Sequence, residues 1–244
     1  MRNVIVTGGS RGLGLGIAQA LQGAGYRVIA VARKTSDPLE ALMSAADPAG
    51  GGSVQFKPFD LEETAGIPAL IKEIRKEFGP VYGLVNNAGL GTAGLLATMP
   101  DAVIERLVRL NTVAPIFMAK YVVRSMMTDG GGRIVNVSSI VSTTGFKALS
   151  VYGATKSSLI GFTRSLAREV GPLGINVNAV APGFIDTAMT DGLEAGQHER
   201  IVRRSPLGRL AEAGDVAGAV EFLLSDKAKN ITGTTITVDA GSTA

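Results

Sequence analysis

"NVIVTGGSRGLGLGIAQALQGAG", residues 3–25, decides the fold. It opens on a short β-branched run around Val4, Ile5 and Val6, and it closes on a helical pattern with apolar residues at Leu13, Ile17 and Leu21. Between the two lie Gly8, Gly12 and Gly14, spaced G-x-x-x-G-x-G rather than the commoner G-x-G-x-x-G. Strand, glycine turn, helix is the first step of a βαβ unit. Glycines there permit a tight turn and let backbone N–H groups approach a pyrophosphate at the positive end of the helix.

The same alternation continues along the chain. Six further strand candidates follow at 26–33, 53–60, 82–89, 132–139, 174–183 and 234–241. Helical patterns at 37–46, 67–79, 101–129, 150–171 and 213–226 separate them. The strands read as nearly continuous apolar runs, as strands buried on both faces do. This predicts an α/β fold: a single doubly wound Rossmann-type domain over residues 1–244 with a seven-stranded parallel sheet. A TIM barrel would need an eighth unit. In open parallel sheets, ligands bind beyond the carboxyl ends of the strands. Those ends read "TGGSRGLG", "AR", "FDL", "NNAG", "VSS" and "APG", a rim of small and polar residues.

Composition narrows the chemistry. Hydrophobic residues make up 45% of the chain and charged residues 18%, which suits a globular domain with a real core. There is no cysteine, so disulfides and thiolate chemistry are excluded, and His198 is the one histidine, so a multi-histidine zinc site is excluded as well. No metal site is expected. The net charge of +3 is spread without a basic stripe, which gives a nucleic-acid partner no support. No apolar run reaches the roughly 18–20 residues of a membrane span. The start "MRNVIVTGGS" enters a strand directly, and its apolar stretch is too short for a signal peptide. A soluble, cytoplasmic protein is the expectation.

Two constellations carry chemistry. At the end of the second strand, where a fold selective for NAD usually places an acid, the chain has Ala32-Arg33-Lys34, and Arg11 sits inside the glycine turn. Two guanidinium groups can bracket a ribose 2′-phosphate with charge-assisted hydrogen bonds, so NADP(H) is the expected cofactor. Further on, Tyr152 and Lys156 lie four apart, on one face of a helix. A phenol titrates near 10, about three units too high for easy proton exchange at neutral pH, and a neighbouring ammonium lowers it. Thirteen residues before Tyr152, Ser139 ends the fifth strand, where its hydroxyl can bond the oxygen that Tyr152 protonates. Asn111 is a polar residue within the apolar run "VRLNTVAPIF", where a buried amide marks a helix kink or a water site.

In order and spacing, "TGGSRGLG", "NNAG", Asn111, Ser139, Tyr152, Lys156 and Pro182-Gly183 resemble the short-chain dehydrogenase/reductase family nearly end to end. Within it the chain is similar to bacterial 3-oxoacyl-[acyl-carrier-protein] reductases and their carbonyl-reductase relatives. The resemblance implies that Tyr152 is the general acid and that Lys156 lowers its pKa and holds the nicotinamide ribose. Ser139 would polarise the carbonyl, and Asn111 would hold a water linking Lys156 to solvent. For the cofactor it implies Gly8, Ser10, Arg11, Gly12, Leu13 and Gly14 in the first turn, then Arg33, Asp60 (at the adenine), Leu61, Asn87, Ala88 and Gly89. Tyr152, Lys156, Pro182, Gly183, Ile185 and Thr187 complete the set, the last group against the nicotinamide.

The substrate is left open. The family's carrier-docking cations near the entrance fall here on Thr128-Asp129-Gly130 and on Leu173, both non-basic, although Arg124, Arg133 and Arg168 are nearby. Reduction of a 3-oxoacyl thioester therefore competes with a short-chain alcohol or ketone dehydrogenase acting on a small non-acyl compound. A dinucleotide sensor without activity would typically lose the tyrosine, lysine or serine, and all are present here. Residues 184–210 are polar and glycine-punctuated, as a substrate lid would be, and His198 within them reads as a solvated residue. The small and apolar residues of "SSLIGFTRSLA" correspond to the family's subunit-packing helix, implying a homotetramer.

Overall fold

The computed structural model describes residues 1–45, 51–185 and 195–244. Seven parallel strands form one sheet: β1 (Asn3–Thr7), β2 (Arg27–Ala32), β3 (Ser53–Pro58), β4 (Val81–Asn86), β5 (Gly132–Val137), β6 (Ile175–Pro182) and β7 (Thr235–Val238). Their spatial order is β3-β2-β1-β4-β5-β6-β7. The chain runs outward from β1 to β3 and then crosses back to β4, so the switch point falls between β1 and β4. A crevice opens there past the strand ends.

Successive side chains of a strand point to opposite faces, and both faces are covered. Val4, Val6, Val28 and Ala30 pack with Ile17, Leu21, Val216 and Val220 of α1 (Gly12–Gly23) and α8 (Ala213–Leu224). Ile5, Ile29 and Val31 face the other way, toward α3 (Ile67–Phe78), α5 (Ala114–Asp129) and α6 (Ser150–Val170). In α3, Ile67, Leu70, Ile71 and Ile74 form the buried stripe, at the i, i+3, i+4, i+7 spacing. Each such aliphatic contributes roughly 2 kcal/mol on burial. The Lys57–Glu77 ion pair beside them, with Glu77 half exposed, contributes about 0–1 kcal/mol, so hydrophobic burial docks this helix.

The patterned helix at 101–129 is not continuous. It divides into α4 (Asp101–Val108), a π-helical turn at Arg109–Val113, and α5. Ala114 N–H bonds Arg109 O, five residues back. Pro115 explains the break. It has no N–H to give the Asn111 carbonyl, and its ring would press on that carbonyl in a regular α-helix. Widening one turn relieves the clash.

Three smaller differences follow from local chemistry. The last strand stops at Val238 because Asp239 turns the chain, accepting from Gly241 N at 2.9 Å, Thr243 N at 2.9 Å, Ser242 Oγ at 3.1 Å and Thr243 Oγ1 at 2.6 Å. The helix at 37–46 is seen as α2 (Asp37–Ser44), capped by the Ser36 hydroxyl, which accepts from Leu39 N at 3.3 Å. An unanticipated helix, α7 (Ala195–Arg204), occupies part of the expected lid. Ile185 and Ala211 form a parallel bridge, so the two ends of that segment are tied together at its base. No helix among the described residues is long and apolar enough to cross a membrane.

Candidate active site

The crevice at the switch point is stitched by one hydroxyl. Thr7 Oγ1 accepts from Asn87 N and Ala88 N, both at 3.0 Å, and donates to Val85 O at 3.3 Å. Asn87 Nδ2 returns a bond to Thr7 O at 2.9 Å. The ends of β1 and β4 are thereby fused into one floor. Gly8 has φ +68° and Gly12 φ +54°, left-handed conformations that glycine adopts without a steric penalty. Gly14 serves close approach: a Cβ there would lie 2.2 Å from Gly8 O and 2.6 Å from Asn87 Nδ2. Only glycine lets α1 begin against the strand end.

Around this turn the other cofactor candidates take their places. Ser10 O accepts from Ser36 Oγ at 2.5 Å, which fixes the turn against the start of α2. Arg11 precedes α1 in extended backbone, exposed, and Leu13 packs against the core behind. Arg33 and Lys34 are exposed just past β2. Among the described residues, none of these three cations makes an ion pair, so their charge is free to meet an anion. Asp60, beyond β3, accepts from Glu62 N at 3.0 Å, and Leu61 is buried in the core. A glycine-lined helix start beside unpaired cations fits the pyrophosphate and phosphate groups of a dinucleotide.

Ser139, Tyr152, Lys156 and Asn111 converge along the same rim. Ser139 follows β5 and accepts weakly from Val141 N at 3.4 Å. Tyr152 stands in the first turn of α6, with its hydroxyl close to that of Ser139. Lys156, 5% exposed, donates from Nζ to Val137 O at 2.9 Å, and Nζ lies 5.9 Å from the centre of the Tyr152 ring. Asn111, in the π turn, pairs with both backbone groups of Leu90, accepting from N and donating to O at 2.8 Å each. It also donates to Thr155 Oγ1 at 3.2 Å. Gly89 keeps the centre open, since a Cβ there would sit 3.2 Å from Asn111 Oδ1 and 3.4 Å from Lys156 Nζ.

Electrostatics correct one expectation. Burial pushes the Tyr152 phenol above its ordinary value, and the Ser139 hydrogen bond pulls it partly back. Burial also lowers the Lys156 ammonium to about 8. The phenol lowered by lysine is thus not what this cleft shows: burial is the larger influence, and the Lys156 ammonium donates to Val137 O rather than to the Tyr152 hydroxyl.

Other expected residues are found in different circumstances. Gly183 has a packing reason of its own: a Cβ would lie 2.6 Å from Asp239 Cβ, and Gly183 N bonds Val238 O at 2.9 Å. Pro182 ends β6, and Ile185 belongs to the core. Thr187 lies outside the described residues, as does the side chain of His198. The carrier-docking positions are displaced from the entrance. The turns before β5 and β6 touch each other, through Gly132 N to Gly174 O at 3.3 Å, at the amino-terminal rim. The six residues of β5 separate them from Ser139, about 20 Å of strand. Arg133 opens β5 on that same rim, and Asp129 is paired with Arg75.

Some residues of the site were not singled out from sequence. Ser138 Oγ donates to Lys156 O at 2.8 Å, and Thr155 Oγ1 donates to Tyr152 O at 2.8 Å. Beneath the site, in the core rather than in the catalytic machinery, Asn86, Asn136 and Thr163 form a buried chain, Asn86 Nδ2 to Asn136 Oδ1 and Asn136 Nδ2 to Thr163 Oγ1, each 2.9 Å. The available signal was polarity itself: asparagines inside β-branched strands must find partners.

Residues 8–243 match the family model described as enoyl-(acyl carrier protein) reductase. The chain is 41% identical over 237 residues to 3-oxoacyl-[acyl-carrier-protein] reductase FabG of Escherichia coli (strain K12), covering 97% of this chain and 95% of that one. Among solved structures, a short-chain dehydrogenase/reductase from Serratia marcescens BCRC 10948 is 31% identical with a TM-score of 0.92, covering 100% of this chain and 98% of that one. A gluconate 5-dehydrogenase from Burkholderia cenocepacia J2315, in complex with NADP and tartrate, is 29% identical with a TM-score of 0.92, over 99% of this chain and 95% of that one.

Proposed function

The chain belongs to the short-chain dehydrogenase/reductase family, oxidoreductases acting on CH–OH and C=O groups with a nicotinamide cofactor, and from that premise we propose that it reduces a 3-oxoacyl thioester with NADPH. The observation that carries this reading is the placement of the Ser139 and Tyr152 hydroxyls side by side next to buried Lys156. Two hydroxyls meet there where one carbonyl oxygen can accept from both. The 41% identity to a 3-oxoacyl-[acyl-carrier-protein] reductase supports the thioester.

When bound, the cofactor supplies the hydride that adds to the carbonyl carbon. Arg11 and Arg33 select the 2′-phosphate, and the glycine turn with the start of α1 takes the pyrophosphate. Asp60, Asn87 and Gly89 form the adenine and nicotinamide floor, and Lys156 holds the ribose. Ser139 donates to the carbonyl oxygen and polarises it, while Tyr152 gives its proton to the same oxygen as negative charge develops there. Asn111, through its pairing with Leu90 and Thr155, keeps the proton route from Lys156 in register. The proposed substrate lid, 184–210, begins and ends at the Ile185–Ala211 bridge, and its residues 186–194 lie outside the described residues.

A second reading, a dehydrogenase or reductase of a small non-acyl ketone or alcohol, is favoured by one observation: no cation stands at this chain's docking positions, and those turns lie on the far rim from Tyr152. NADPH consumption by the purified protein with acetoacetyl-coenzyme A tests the choice. Brisk turnover supports the thioester without need of a carrier protein. Tight NADPH binding without turnover moves the substrate to the ketone and alcohol class. For the cofactor, Ala32→Asp should shift preference toward NADH, and equal use of NADH and NADPH by the native protein would sink the phosphate assignment. The reading places the enzyme in the cytoplasm.

A further inference from the structure

The dipeptide that follows β5 holds two serines, and only Ser139 has a part in the reaction just described. Ser138 is 3% exposed, and its hydroxyl cannot reach substrate because its proton is given to Lys156 O at 2.8 Å. Its own N–H is fixed to Val180 O of β6 at 2.7 Å. One residue earlier, Val137 O accepts from Lys156 Nζ at 2.9 Å. Lys156 is therefore gripped twice by consecutive residues at the carboxyl end of β5, at its carbonyl by Ser138 and at its ammonium tip by Val137. Ser139, which follows, lies close to Tyr152 on the same helix. The last residue of β5 and the serine after it thus set where α6 presents Lys156.

Resting on the proposed reaction, we infer that Ser138 is a positioning residue for Lys156: its hydroxyl bond to the lysine carbonyl fixes the height of α6 on the sheet and so the reach of the ammonium toward the cofactor ribose. Alanine at 138 leaves the ammonium's acceptor in place but removes the clamp on the main chain. Small displacements are costly where a bound group must be met at hydrogen-bond distance.

The primary readout is NADPH affinity, measured by cofactor fluorescence on the full-length protein, with the apparent melting temperature alongside. Thr163→Val is the comparator. Thr163 lies on the same helix, fully buried, and its hydroxyl serves Asn136 rather than any catalytic group. Ser138→Ala should weaken NADPH binding about three- to tenfold, the span of one lost hydrogen bond. It should lower kcat/KM at least as much, and Ser138→Thr should restore most of both. Thr163→Val should lower the melting temperature while leaving NADPH affinity within twofold. The inference is overturned if Ser138→Ala binds NADPH like the native protein, or if Thr163→Val loses affinity to the same degree, which would make both effects merely structural. Tyr152→Phe separates this from the reaction itself: a phenylalanine variant with full turnover removes the proposed mechanism, whatever Ser138 does.

Discussion

At the scale of single residues, Lys156 is the most exposed to test. Its ammonium is pushed down to about 8 by burial, against 10.5 for the free group. Between those values the unfolded chain holds a proton that the folded chain has released, so stability rises with pH across that window. Below about 8 the folded protein carries the full cost of a buried ammonium, on the order of 3 kcal/mol. Lys156→Met should flatten this rise: urea unfolding at pH 7.5 and 9.5 should give a native protein that gains stability and a variant that gains little. Equal slopes would mean that the lysine is hydrated when folded. Burial raises the Tyr152 phenol rather than lowering it, so in the proposed mechanism Tyr152 donates a proton that it holds firmly. Tyr152→Phe should cut turnover at least a hundredfold with NADPH affinity nearly intact, as kinetics and fluorescence titration would show. Sequence placed this pair on one helix face but could not price its desolvation. The groups around it, Val137, Ser138 and Gly89, come from the carboxyl ends of β4 and β5, far from α6 in the chain.

At the scale of elements, the glycine turn and the π turn carry the consequences. Gly14→Ala drives a methyl group into Gly8 O, with no flexible side chain to yield. About 1–3 kcal/mol of stability should be lost, together with cofactor binding, as unfolding and NADPH titration would report. Pro115→Ala works in the opposite sense. It returns an N–H opposite the Asn111 carbonyl and removes the ring that forced the wider turn, so α4 and α5 can join as one regular helix. Asn111 would rotate off Leu90, and kcat should fall more than tenfold while the melting temperature holds or rises. Unchanged kcat would show that the Asn111 contacts do not matter. The seven strands and the glycine turn were legible because buried strands and positive-φ turns are local signals. The π turn was half legible: Asn111 announced a kink, yet the patterned run 101–129 still read as one helix. The docking turns were legible as turns before β5 and β6, which a parallel sheet puts on the amino-terminal rim; their nearness to the entrance came from the family resemblance and not from the spacing.

For the whole molecule, the α6 surface bearing "SSLIGFTRSLA" remains the expected packing face. A mass near four chains by light scattering at micromolar concentration checks the tetramer, and a monomer mass would refute it. The layering and the rim that holds the crevice followed from alternation, whereas the strand order and the switch point between β1 and β4 come from the structure. What lies between the regular elements did not follow. Exposed Leu95 and Leu96 start a short 3-10 turn, and the edge-to-face rings of Phe146 and Phe184 lie in loops, where periodicity gives no guidance. One contact among the strand ends bears on anyone wishing to redesign this protein. Gly183 leans on Asp239, whose carboxylate holds residues 241–243 in place. A mutant library that adds bulk at 183 to reshape specificity will collide with the chain behind it before it meets any ligand. Diversity is better spent on Phe146 and Phe184, whose contact is ring against ring and can be repacked without moving a strand.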